Sequence, residues 1–143
     1  MNNYISEVYQ LGLKLFPICR SITGNGVRES LALIRKHLTK LKITEVKSGT
    51  KVFDWVIPPE WNIKDAFVKD QFGKKIIDFK KNNLHLVSYS IPIKKKVDKT
   101  ELFKHIHSLK RLKKAIPYVT SYYRKYWGFC ISYDHKKKLE KKF

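Results

Sequence analysis

VRESLALIRKHLTKLKITEVKSGTKVFDWVI, Val27–Ile57, carries two different periods, and the point where one replaces the other decides the fold class. In its first half Val27, Leu31, Ile34, Leu38 and Leu41 recur at alternating steps of four and three, with Arg28, Glu29, Arg35 and Lys36 on the other side. That spacing gathers an apolar stripe on a helix predicted over 27–41. After Lys42 the runs shorten to Ile43–Val46, a Ser48-Gly49 turn and Val52–Ile57, where Phe53, Trp55 and Ile57 alternate as on one face of a strand. A helical opening followed by β-like runs predicts an α+β fold.

Toward the N-terminus, Tyr4, Val8, Leu11 and Leu15 share one face of a helix over 4–16, which Pro17 stops. RSITGNG, Arg20–Gly26, reads as a loop leading into the second helix. Free amides at that helix start, flanked by Arg20 and Arg28, could hold a carboxylate or phosphate, but an ordinary capped helix start is the preferred reading. Toward the C-terminus, Ile63–Lys69 and Lys74–Phe79 read as strands joined by the turn Asp70-Gln71-Phe72-Gly73. Leu84–Ile91 and Trp127–Ser132 read as further strands, so the middle is expected to be mainly antiparallel β. Asp98 or Thr100 can cap a short helix through His107. Asp134–Phe143 holds five lysines and little apolar material, and reads as a solvated tail.

With 143 residues, 43% apolar and 13% aromatic, the chain can bury a core. Its formal charge of +19 rests on 26 lysines against five arginines. Such a field draws polyanions, but bidentate phosphate and guanine readout favours Arg, so compositional drift is the preferred reading of the lysine excess. The aromatic segment Tyr118–Phe129, interleaved with Arg124 and Lys125, is either a base-stacking surface or a core strand and its approach, and packing favours the core. No apolar run approaches the roughly 18 residues of a membrane span and the start lacks a secretory pattern, so a cytoplasmic protein without a membrane partner is expected.

Cys19 and Cys130 are isolated, with no CxxC pair. Arg20 and a helix start favour a Cys19 thiolate, but no sequence neighbour supplies a base, and a buried, inert thiol is the stronger expectation. His105-Ile106-His107 suits one metal ion only on a strand, since ring positions two apart diverge on a helix, and with no third ligand beside them two partly exposed polar side chains are the preferred reading. Walker, GxGxxG, HExxH and GxSxG motifs are missing, and no repeat is found.

LFPICRSITGNGVRESL (Leu15–Leu31), SGTKVFDWVIPPEWNIKDAFVKD (Ser48–Asp70), DFKKNNLHLVSYSIP (Asp78–Pro92) and IPYVTSYYRKYWGFCIS (Ile116–Ser132) closely resemble a bacterial aminopeptidase-like family related to the di-zinc aminopeptidases, polysaccharide-biosynthesis proteins with an aminopeptidase-like domain. The resemblance implies a longer protein in which this chain is the N-terminal portion. Residues 1–44 would be the helical start of a truncated α/β peptidase-like domain, 45–133 a β-rich, mainly antiparallel insert, and 134–143 a basic tail. It implies zinc, and a peptide or aminoacyl substrate, for the intact family. The metal ligands lie on the part not matched here, so this chain has no catalytic or metal residue of its own and is expected to be inactive alone. A separately encoded remainder is the partner it would need. By matched motif, Arg20, Ser21, Asn25, Arg28, Tyr122 and Tyr123 are the candidate substrate-binding residues. The alternative is a small basic module that binds nucleic acid or another polyanion, nucleic acid only weakly.

Overall fold

A computed structural model describes residues 2–122 and 124–142, with the side chains of Asn2 and Asn3 left aside. The chain divides into two compact units, Met1–Ile63 and Lys64–Phe143. Among the described residues the secondary structure is mixed, four α-helices with small sheets, which agrees with the α+β expectation.

In the first unit, helix α1 (Asn2–Leu15) packs against helix α2 (Asn25–Arg35). The predicted helix over 27–41 ends a turn and a half early. Lys36 and His37 close the end with tighter bonds to Leu33 and Ile34 carbonyls, and Leu38 is 57% exposed, so the periodic stripe continues past anything it can pack on. Ile43–Val46 forms no strand. The single strand expected over 52–57 is instead a hairpin of β1 (Lys51–Val52) and β2 (Trp55–Val56), with Val52 opposite Trp55. The chain reverses at Phe53-Asp54, where Phe53 sits at φ 53 and its ring is almost wholly in solvent. Among its described residues this unit buries no large apolar side chain fully; Tyr4, Val8 and Phe16 remain 76%, 70% and 86% exposed.

The second unit holds the core. Ile77, Leu102, Ile106, Trp127, Phe129, Ile131 and Leu139 form one buried cluster. The predicted hairpin is present as β3 (Phe67–Lys69) and β4 (Lys75–Asp78), antiparallel, with a bulge that sets Val68 opposite Ile77 but Lys69 opposite Lys75. Its turn is built by Asp70, whose Oδ1 accepts from the Phe72 and Lys74 amides at 3.1 and 3.0 Å, and by Gly73 at φ 80.

Leu84–Ile91 is not a continuous strand. Asn82 caps a 3₁₀ turn over Asn83–His85, and Tyr89 at φ 65 bends the segment after single bridges to Phe129 and Thr120. Helix α3 (Lys99–Lys104) is capped by Asp98, whose carboxylate accepts from the Glu101 amide at 2.7 Å. It ends at His105, short of the predicted His107, and runs into β5 (Ile106–His107). That strand pairs in parallel with β6 (Phe129–Cys130), so the sheets are not all antiparallel.

Residues Tyr133–Lys142 form helix α4 rather than a solvated tail, Phe143 lying outside the described residues. Two anchors explain this: Leu139 is buried in the core cluster, and Lys142 Nζ lies 2.8 Å from Asp70 Oδ2. The Asp70 side chain is 2% exposed, and the hydrogen bond from Lys142, then those from the Lys74 and Phe72 amides, hold its carboxyl below the usual range against the opposing effect of burial. A carboxyl depressed in the fold adds stability that is present above its unfolded value and is lost as pH falls through the folded one. The urea midpoint is therefore expected to fall below about pH 4. Asp70→Asn should be less stable at neutral pH and show a shallower acid limb; equal acid limbs would refute the pair's role.

Candidate functional site

The loop Arg20–Gly26 is held by its own polar side chains. Ser21 Oγ donates to the Thr23 carbonyl at 2.8 Å and accepts from the Thr23 amide at 3.4 Å. Arg20 Nη1 donates to the Leu15 carbonyl at 2.7 Å and to Ser30 Oγ at 3.4 Å. It thereby adds a second donor to the Leu15 carbonyl, which already accepts from the Ile18 amide at 3.2 Å, and ties the end of α1 to α2. Ser30 is buried and turns back to the Gly26 carbonyl at 2.7 Å.

At the head of α2, Gly24 provides no side-chain cap. The cap comes instead from Asn62, whose Oδ1 accepts from the Asn25 amide at 2.7 Å. Arg28 is the hub of the neighbouring polar cluster. Its Nη1 reaches Asn25 Oδ1 and Glu60 Oε2, each at 3.1 Å, its Nη2 pairs with Glu60 Oε1, and its Nε lies 3.4 Å from Glu45 Oε1. These bonds, Glu60 first and Glu45 second, raise the guanidinium above its ordinary value, and the Arg28 bond lowers Glu60. The place considered for an anion beside Arg28 is taken by the chain's own Glu60, and the helix start is capped by Asn62. All three charged side chains are about half exposed or more, so the cluster orients more than it stabilises.

All four of Arg20, Ser21, Asn25 and Arg28 lie in the first unit, where Asn25 and Arg28 meet directly while Arg20 bonds to Leu15 and Ser30 and Ser21 bonds to Thr23. Tyr122 belongs to the second unit, where its ring meets Tyr89 edge-on at 4.9 Å; Tyr123 lies outside the described residues. Sequence reading missed Glu45, Glu60 and Asn62. The only local sign was the Glu60-Trp61-Asn62 string after two prolines, which does not show what it faces 37 residues upstream.

Three of the histidines have defined partners, and His105 and His107 both pack on the Tyr126 ring. His105 stacks on Trp127 with ring centroids 3.7 Å apart, and its nitrogens lie 2.7 Å from the Trp127 carbonyl oxygen and 3.2 Å from Glu101 Oε1. His107 Nε2 is 2.9 Å from the Tyr126 hydroxyl, and burial, then nearby positive charge, holds its pKa below the ordinary value. His85 Nδ1 lies 2.7 Å from the Cys130 carbonyl oxygen. Burial pushes the Cys130 thiol up to about 11 and raises Cys19 as well, so the thiolate considered for Cys19 is disfavoured.

Among the described residues no three His, Cys, Asp or Glu side chains come together as a metal-binding group. The described residues do not supply a set that fits a zinc ion. No described helix is long and apolar enough to cross a membrane.

This is a mixed α+β chain with a polar clamp at a helix start. Residues 60–143 match the model of a family described as a domain of unknown function, DUF2172, and the chain belongs to that family. It is also 57% identical over 126 residues to a Clostridium acetobutylicum protein named "Putative polysaccharide biosynthesis protein with aminopeptidase-like domain", covering 88% of this chain and 29% of that one. A crystal structure of a "putative peptidase" from the same organism superposes with a TM-score of 0.89 at 52% identity, over 96% of this chain and 34% of the other. The chain thus spans about a third of the length of the relatives it matches, and the aminopeptidase-like resemblance read from its sequence stands.

Proposed function

We propose that this chain is the N-terminal portion of an aminopeptidase-like zinc hydrolase. The first unit supplies leading helices of a peptidase-like domain, and the β-rich region supplies an insert. Arg20, Ser21, Asn25 and Arg28, all of the first unit, are the residues offered to a peptide or aminoacyl substrate, and the sequence match adds Tyr122 and Tyr123 as further candidates. The metal ligands and the group that handles the proton of the attacking water belong to the remainder, carried on the same polypeptide or a second one. Without them a hydrolase can neither hold the ion nor activate water.

The observation that carries this reading is the state of the first unit. It leaves an apolar face of α1 in solvent and buries no large apolar side chain fully among its described residues, as expected of helices that lean on more structure. The purified chain is expected to hold no stoichiometric zinc and to release nothing from aminoacyl p-nitroanilides. Its α1 and α2 amides should exchange with solvent faster than those of β3 and β4. Tightly bound zinc found by elemental analysis, or equal protection of helices and hairpin, would overturn it.

A further inference from the structure

The charge is unevenly placed. Lys64–Phe143 carries 22 Lys and Arg against 7 Asp and Glu, whereas Met1–Ile63 carries 9 against 5. The acids of the second unit are largely committed: Asp65, Asp70, Asp78, Glu101 and Glu140 each pair with a lysine of that unit. Most of its remaining lysines are left without a countercharge among the described residues.

One place combines that surplus with an exposed apolar side chain. In Lys110-Arg111-Leu112-Lys113-Lys114 every residue is exposed, and Leu112 is 51% exposed. Successive turns, Leu112 N–H to the Leu109 carbonyl and Ala115 N–H to the Leu112 carbonyl, give the loop a defined bend. The Lys113 carbonyl accepts from the Asp134 amide at 3.1 Å, fixing the loop to the first turn of α4 beside the run Lys136-Lys137-Lys138. Among the described residues no carboxylate lies within salt-bridge distance of the four loop bases.

We infer that the 110–114 loop and the start of α4 form a peripheral contact surface for a bilayer carrying anionic lipid. Lysine ammoniums meet headgroup phosphates and carboxylates without a required geometry, and a single leucine among them enters the acyl boundary. A peripheral contact needs no spanning segment. Nucleic acid fits less well: Trp127 and Phe129 are buried, so the aromatic segment offers bases a poor platform, and Leu112 adds nothing to a phosphate backbone.

The test is co-sedimentation of the 143-residue chain with vesicles at physiological ionic strength, about 0.15 M. Binding is expected to phosphatidylcholine vesicles containing phosphatidylserine and not to phosphatidylcholine alone. Removing charges in Lys113→Ser/Lys114→Ser should weaken partitioning about fivefold per charge. Leu112→Ser should weaken it about tenfold. These side chains are exposed, so circular dichroism should show all variants folded. Binding that disappears at this salt, is indifferent to phosphatidylserine, is unchanged in Leu112→Ser, or is weaker than binding to single-stranded DNA overturns the inference.

Discussion

Gly24→Ala is expected to dissolve the start of α2, at a cost of about 3 kcal/mol, the sum of backbone strain and a lost cap. Gly24 sits at φ 96 and ψ −175, a region essentially reserved for glycine. A Cβ there would stand 2.4 Å from the Trp61 carbonyl oxygen and 2.8 Å from Asn62 Oδ1. The first of these is backbone and cannot rotate away. The second is the acceptor that caps Asn25, so the clash and the lost cap fall on the same residue. The unit has little margin to absorb this, because its apolar side chains are only partly buried. Amide exchange over Asn25–Ser30 should accelerate at least tenfold in the variant. Gly12→Ala is the control: it lies in α1 with no atom near its would-be Cβ, and alanine there should add roughly 0.5–1 kcal/mol of helix stability. Wild-type exchange in Gly24→Ala would refute the account of the loop.

What the sequence makes legible here is local. The β3–β4 hairpin is readable because its turn signals, Asp70 and Gly73, lie within the turn they build. The cap of α3 is readable for the same reason, since Asp98 binds an amide three residues on. The misreadings share the opposite cause. Alternation from Val52 to Ile57 cannot distinguish one strand from two residues either side of a reversal at Phe53. The lysine-rich end looks solvated because the two things that order it, Asp70 and the core around Leu139, are distant in the chain; Lys142 and Asp70 are 72 residues apart. The candidate site divides in the same way. Arg20, Ser21, Asn25 and Arg28 could be named from a short polar stretch. Glu60 and Asn62, which occupy the place proposed for an anion, are seen only once the chain folds back.

Trp127→Ala should be the most damaging substitution in the second unit, costing about 3–5 kcal/mol, the range for removing a large aromatic from a core. The indole is 9% exposed, stacks on His105, meets Phe129 edge-on at 6.5 Å and has Lys95 Nζ 5.0 Å from its centroid. Removing it opens a cavity between α3 and β6 and frees His105 from its stacking partner, so the parallel pairing of β5 with β6 loses support on one face. A loss of that size is a large fraction of the 5–15 kcal/mol typical of a whole domain. The measurement is the urea midpoint followed by tryptophan-independent far-UV dichroism. It also decides between the two readings of the aromatic segment. A side chain that stacks bases at a surface would leave the midpoint in place and weaken binding to single-stranded DNA; a core side chain moves the midpoint whether or not any nucleic acid is present. Tyr118, 64% exposed on the same segment, is the internal comparison: Tyr118→Ala should stay within about 0.5 kcal/mol of the parent, as surface substitutions do.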